Sequence, residues 1–526
     1  MKKLSMVSIS SLLAVSFIAG CGATNEKPEA SASAKTEDKS VKESAKPEDK
    51  SVKESAKPAE VVTLKYVLPG NEPKEWAAVK DAVDKKLQAD GVNVKIVKEY
   101  IDWGAWEQKL NLKLSTGEDF DMFHVMNDWI SLANYIGRGA VKDVGPEVAK
   151  YGPELKKAIP DSVWSGVQKD GKTFGIPSYW YEPAVDGSFT ANRILLNQAG
   201  VTDVPKTQEE MLAAMEKVMS TDHGASKPYL PIRGGLRDAS DVLHRAYDSY
   251  PFAVKDKIAF IDKDGKVKSW AETEEFKKDS AFFRTAYQKK LTNPDILVVK
   301  QEQIDKQINS AIYPFLFGTP NNVNEMKKTY PNMKDEDFTL QRLNPDKPHY
   351  RMFNAKNVNA VAANSKHPEA AVQFLNWLYT SQENYDLFMY GIEGKTYKKV
   401  GDRGIEYLKD ADGKTNLYLQ EDWMIGNLKY IRIDPNTLSA NKALFVADPN
   451  AKTFFAADFF FDPTAVKSEM SNIQAVYTSD IMPIYDGVLD YDQKSKAAID
   501  KLKAAGIDKV IAEYQKQLDA YKASKK

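Results

Sequence analysis

Gly166-Val-Gln-Lys-Asp-Gly171-Lys172-Thr173 has the full spacing of a phosphate-binding P-loop. That chemistry needs a strand before the loop and a helix after it, whose first amides hold phosphate. Thr173 is followed by Phe174-Gly175-Ile176-Pro177, which starts no helix, and Asp170-Gly171 between β-prone residues reads as a tight hairpin turn. Nucleotide binding is rejected on that ground. Asp262-Lys-Asp264-Gly265 and Asp410-Ala-Asp412-Gly413 have the outline of calcium loops, yet neither supplies the third acidic position or the closing glutamate, so both are expected to be turns. His124, His223, His244, His349 and His367 are too widely spaced to put two ligands on one helical turn. No metal or cofactor is expected. Without a Gly-x-Ser-x-Gly elbow, and with one cysteine placed near the N-terminus, nothing local supports a serine or cysteine nucleophile. Paired carboxylates for glycan cleavage would be brought together by tertiary structure, and the sequence leaves that arrangement open.

The residue types that do recur together are aromatics mixed with amides and acids. Trp103 and Trp106, then Asn127, Asp128 and Trp129, then Tyr179-Trp180-Tyr181-Glu182 all fall at strand ends or in loops. A sugar ring presents a flat apolar face and a rim of hydroxyls, which suits aromatic platforms edged by planar polar groups. Trp76, Phe374 and Trp377 instead lie on helical stripes and are expected in the core.

Elements that could position these clusters follow from periodicity. Val61 to Leu68 reads as a strand closed by Pro69-Gly70, and Trp76, Val79, Val83 and Leu87 are spaced as a helix that Gly91 ends. Val92, Val94 and Ile96 alternate as a second strand, a helix covers Glu107 to Leu114, and Asp121 to Met126 is a third strand. Asn127 or Asp128 is expected to cap a helix beginning at Trp129. This βαβαβ order predicts an open, mostly parallel α/β sheet that binds ligands beyond the carboxyl ends of its strands. Thr207-Gln-Glu-Glu210 predicts a capping box, and helices are expected over Thr273 to Lys290, Pro368 to Tyr379, 494–505 and 508–522.

The two ends differ in kind from the middle. Lys2 and Lys3 precede an apolar run through Ile18, too short for a permanent membrane span, so residues 1–20 read as a signal peptide. Ile18-Ala19-Gly20-Cys21 resembles the bacterial lipobox, which implies acylation of Cys21 and a membrane anchor. As Cys21 is the only cysteine, the folded body holds no disulfide. Residues 21–60 carry few large apolar side chains, and Glu37 to Pro47 is repeated at Glu48 to Pro58. They read as a disordered tether with a reach of about 35 Å. A net charge of -1 speaks against nucleic acid as a partner. The body from 61 onwards is too long for one hydrophobic core, so two or more lobes are expected.

Asp170-Gly-Lys-Thr-Phe-Gly-Ile-Pro177, Thr273-Glu-Glu-Phe276 through Lys290-Leu-Thr-Asn-Pro294, Ser365-Lys-His-Pro-Glu-Ala-Ala371 through Tyr379, and Tyr390-Gly-Ile-Glu-Gly394 together resemble the solute-binding proteins of carbohydrate ABC transporters. The branch resembled is that of Gram-positive lipoproteins with an extra C-terminal domain of unassigned role. The resemblance implies a two-lobed periplasmic-binding-protein-like (type II) fold, with a hinge and an oligosaccharide held between the lobes for a membrane permease. It implies a monomeric, non-catalytic protein on the outer face of the cell membrane. It places ligand contacts at Asn127, Asp128 and Trp129, at Tyr179, Trp180 and Glu182, at Glu393, and at Arg233 and Asn321-Asn322. Residues 61–400 would form the two-lobe body and 401–526 an extension packed on it, with the reach of Trp423 into the cleft left open. Peptides, other solutes or a glycan-degrading activity are the alternatives that the residues leave standing.

Overall fold

Val62–Pro69 (β1) lies at the centre of three parallel strands, between Val94–Ile101 (β2) and Met122–Met126 (β3). The computed structural model describes residues 60–525 apart from Asp128, Asp186, 225–226, 233–238 and Asn321. The expected signal peptide, Cys21, the tether, Asp128, Arg233 and Asn321 therefore lie outside the described residues. Trp76–Ala89 (α1) makes the first crossover and buries Trp76, Val79, Val83 and Leu87, the stripe read from the sequence. Trp106–Thr116 (α2) makes the second. Asn357–Val361 pairs antiparallel with β3, and Ile176–Pro177 pairs antiparallel with Asn357–Val361 in turn, giving five strands in all. The loops after β2 and β3 thus emerge on one edge, where an open α/β sheet binds ligands.

The helix expected at Trp129 starts later, as Leu132–Gly137 (α3). The amides of Trp129 and Ile130 both turn back onto the Met126 carbonyl, at 2.9 and 3.0 Å, and the Asn127 side chain accepts from the Leu132 amide at 2.7 Å. A tight turn closed by the asparagine therefore replaces the first helical turn and leaves Trp129 on a loop.

The second lobe centres on Phe189–Asn192, flanked antiparallel by Phe315–Phe317 and Phe338–Gln341. Gln208–Ser220 carries the predicted capping box, with Thr207 and Glu210 satisfying each other's backbone amides. Glu274–Gln288, capped by Thr273, buries Phe276 and Phe283. Ile473, Leu502, Tyr514 and Leu518, from the C-terminal helices Lys467–Val476, Tyr491–Ala504 and Ile507–Ser524, lie in the same apolar cluster as these phenylalanines. Gly487 is pressed onto Phe283: its φ is +73°, and a Cβ there would sit 2.3 Å from the Phe283 carbonyl carbon. Ile405, Tyr418, Met424, Ile425 and Ile431 belong to the first lobe's core instead.

The chain passes between the two cores three times, after Ile176, after Leu343 and after Ile431. Glu182, 1 % exposed, ties these passages together. Its carboxylate accepts from Arg351 Nε at 2.8 Å and Nη2 at 3.0 Å, and from the amides of Ala184 and Asp448 at 3.0 Å each. The short strand Tyr350–Arg351 also pairs with Lys452–Thr453.

The look-alike motifs are turns. Gln168–Lys169 pairs with Lys172–Thr173 as a hairpin, with Asp170 and Gly171 at φ 52° and 74°. Asp262 Oδ1 accepts from the amides of Asp264 and Lys266, and Asp410 Oδ1 from those of Lys414 and Thr415, so these carboxylates fold their own loops.

Candidate functional site

A cleft of about 1020 Å³ is walled by residues of both lobes and of the C-terminal helices. On the first lobe it is edged by the loop after β3, with Trp129 and Ser131, and at the lobe passages by Trp180, Tyr181, Phe353 and Asn354. Trp129 is 44 % exposed, and its indole N–H donates to Glu107 at 3.2 Å. Trp103, 40 % exposed on the loop after β2, lies nearly parallel to it, with centroids 6.4 Å apart and planes 12° apart. Trp423 completes the group at 5.8 Å from Trp103 and 5.2 Å from the His124 ring. Three tryptophans therefore gather at the carboxyl ends of β2 and β3, one of them contributed by the segment beyond 400.

Trp180 lines the cleft because the chain at 426 comes close: a Cβ on Gly426 would lie 2.1 Å from that of Trp180. Tyr179 is half-buried and bridges to Asn427, and burial, followed by the nearby Glu182 charge, raises its phenol. The remaining sequence-predicted residues are engaged elsewhere. Trp106, 3 % exposed, is core, since it opens α2 on the same face as buried Leu110. Asn127 lines the cleft, but its amide is held by the Ala355 carbonyl at 2.6 Å and the Leu132 amide. Glu182 belongs to the tie between the lobes. Asn322 caps the helix Val323–Thr329, accepting from the Glu325 amide at 3.1 Å. Glu393 is exposed and paired with Lys399 at 2.8 Å. Among the described residues no cluster of histidine, cysteine or acidic side chains could hold a metal ion, and no helix is long and apolar enough to cross a membrane.

Beside the tryptophans, the Asp422 carboxyl is pushed up to about 7, chiefly by burial, against the pull of the Tyr390 hydroxyl donating at 3.0 Å. The unfolded chain releases this proton near 3.8, so its contribution to stability is complete below that pH and is lost as the pH rises through about 7. The melting temperature is expected to rise as the pH is lowered from neutrality towards 5, and Asp422→Asn is expected to flatten that slope. Thermal melts of both proteins across this range test it, and parallel slopes would refute it.

The sequence profile of bacterial extracellular solute-binding proteins matches residues 70–385, more than half of the chain. The chain belongs to this family. A domain of unknown function (DUF3502) matches residues 455–523. A carbohydrate ABC transporter substrate-binding protein of Streptococcus pneumoniae serotype 4 is 24 % identical over 451 residues, 84 % of this chain and 87 % of its own. The N-glycan transport solute-binding protein NgtS of Streptococcus pneumoniae superimposes with a TM-score of 0.68 at 21 % identity, covering 88 % of this chain and 100 % of its own. Its complex with Man5GlcNAc gives 0.64 at 21 % identity, over 88 % of this chain and 99 % of that one. FusA of S. pneumoniae, solved with kestose, gives 0.57 at 15 % identity, over 88 % and 100 %. The two-lobed architecture is thus that of the extracellular solute-binding family. The profile ends before Trp423 and before the C-terminal cleft wall.

Proposed function

We propose that this protein captures an oligosaccharide between its two lobes and delivers it to an ABC importer, without catalysing its cleavage. The observation that carries the reading is the group of three tryptophans at the strand ends, with Trp129 on the cleft wall. Such rings offer flat apolar faces in a cleft that also presents polar side chains, among them Asn354, Lys255 and Gln474, the pairing a sugar requires. The relatives support the reading, being described as carbohydrate transporter components and solved with glycans. Binding would favour the state in which both lobes meet the ligand, a hinge closure around the ties at Glu182. In the same reading Cys21 carries a lipid that anchors the chain on the outer face of the membrane, and the protein works as a monomer.

A thermal-shift screen of the intact protein against oligosaccharides, monosaccharides and short peptides tests this. A ligand at about a hundred times its Kd adds about 2.7 kcal/mol of stability. Stabilisation by one oligosaccharide class, recovered intact, is the expected result. Shortened fragments would make the protein an enzyme, and stabilisation by peptides alone would overturn the carbohydrate assignment.

A further inference from the structure

The cleft wall facing the first lobe contains a hairpin whose turn is strained. Ala253–Lys255 pairs with Ala259–Ile261, and the Ile258 amide donates to the Lys255 carbonyl at 3.0 Å across a β-turn. Both central residues have positive φ, Asp256 at 50° and Lys257 at 61°. Two successive left-handed residues are the mark of a type I′ turn, which Asn-Gly would form with least strain. Strain of this kind persists where the side chains concerned are used, and Lys255, Asp256 and Lys257 all line the cleft.

The opposite bank of this corner comes from the domain of unknown function. The Tyr514 hydroxyl donates to Asp256, and the Tyr514 ring is fixed by stacking on Phe461, with centroids 3.5 Å apart and planes 9° apart. Gln474, exposed on the helix Lys467–Val476, also lines the cleft. Among the described residues its side-chain amide and the Lys255 ammonium have no hydrogen-bond or ion-pair partner. A planar amide, an ammonium and the Asp256 carboxylate, held from beneath by the buried Tyr514 phenol, provide donors and acceptors for hydroxyl groups. Burial pushes the Lys255 amine down, against the pull of the nearby Asp256, Asp458 and Asp241 carboxylates, so the corner is not built to select an anion. A cleft of about 1020 Å³ lies at the upper end of small-molecule sites, with room for more than one sugar unit.

We propose that Lys255, Asp256 and Lys257, together with Gln474 and Tyr514 of the C-terminal helices, form a second sugar subsite. This subsite receives the outer, uncharged units of an oligosaccharide whose other end meets Trp129. The inference rests on the oligosaccharide reading above and assigns the domain of unknown function a part in ligand selection.

The test is calorimetric binding of Man5GlcNAc and of its shorter relative Man1GlcNAc to the intact wild-type protein and to Gln474→Ala and Lys255→Ala. Wild type is expected to bind both. Each variant, with unchanged melting temperature, is expected to lose about tenfold in affinity for Man5GlcNAc while staying within about twofold for Man1GlcNAc. Equal losses for both probes, or no loss for either, would overturn the subsite and leave the cleft a sugar site. Binding of neither probe by wild type would overturn the subsite as a reader of these glycans, whereas the sugar reading itself falls only if no oligosaccharide stabilises the protein in the thermal-shift screen.

Discussion

Arg351→Ala is expected to destabilise the protein by about 3–5 kcal/mol, because it strands a buried carboxylate. Glu182 is 1 % exposed, and without the guanidinium it would keep, among the described residues, only the amides of Ala184 and Asp448 as donors. Arg351 also donates to the carbonyls of Asp448 and Ala451, at 2.7 and 2.9 Å, so its loss loosens two passages between the lobes at once. Lysine at this position would keep the charge and lose the two-pronged geometry, recovering part of the stability. Removing both charges as Glu182→Leu/Arg351→Met should cost less than the single alanine change, since no lone buried charge is left. Denaturant unfolding read by intrinsic tryptophan fluorescence measures all three. An unchanged midpoint for Arg351→Ala would show that the tie does not hold the lobes together.

Trp129→Ala is expected to weaken oligosaccharide binding by about 2 kcal/mol, roughly thirtyfold, while leaving the fold nearly untouched. Its ring is 44 % exposed, and its indole N–H contact to Glu107 is on the surface. Trp106→Ala should do the reverse, costing about 3–5 kcal/mol of stability through a core cavity. Titration calorimetry and thermal melts on both variants separate the two roles. Equal affinity for Trp129→Ala and wild type would remove the tryptophan group from the binding site.

That contrast shows what could be read before folding. The βαβαβ order was legible because each element has its own period, and Trp103 and Trp129 stood out because they follow strands. Trp106 misled because it is adjacent in sequence to the same loop, although its spacing to Leu110 already matched a buried helical face. Asn127 and Glu182 have chemistry suited to a ligand, and only tertiary partners reveal that they hold backbone instead. Arg351 lies 169 positions from Glu182, beyond any local pattern. The Lys255 hairpin escaped notice because its turn lacks the Asn-Gly or Asp-Gly signature that marks type I′ geometry. Trp423 depends on where the second passage leads and the C-terminal cleft wall on where the third does, which local periodicity does not reveal.

Three passages between the lobes is an odd number, so the chain enters the folded body in one lobe and leaves it in the other. Val62 starts β1 of the first lobe, and Ile507–Ser524 ends on the second. A fluorescent donor fused ahead of Val62 and an acceptor placed after Ser524 would therefore ride on separate lobes. Any change in hinge angle would alter energy transfer between them, making the protein a ready scaffold for a sensor that reports its solute by colour.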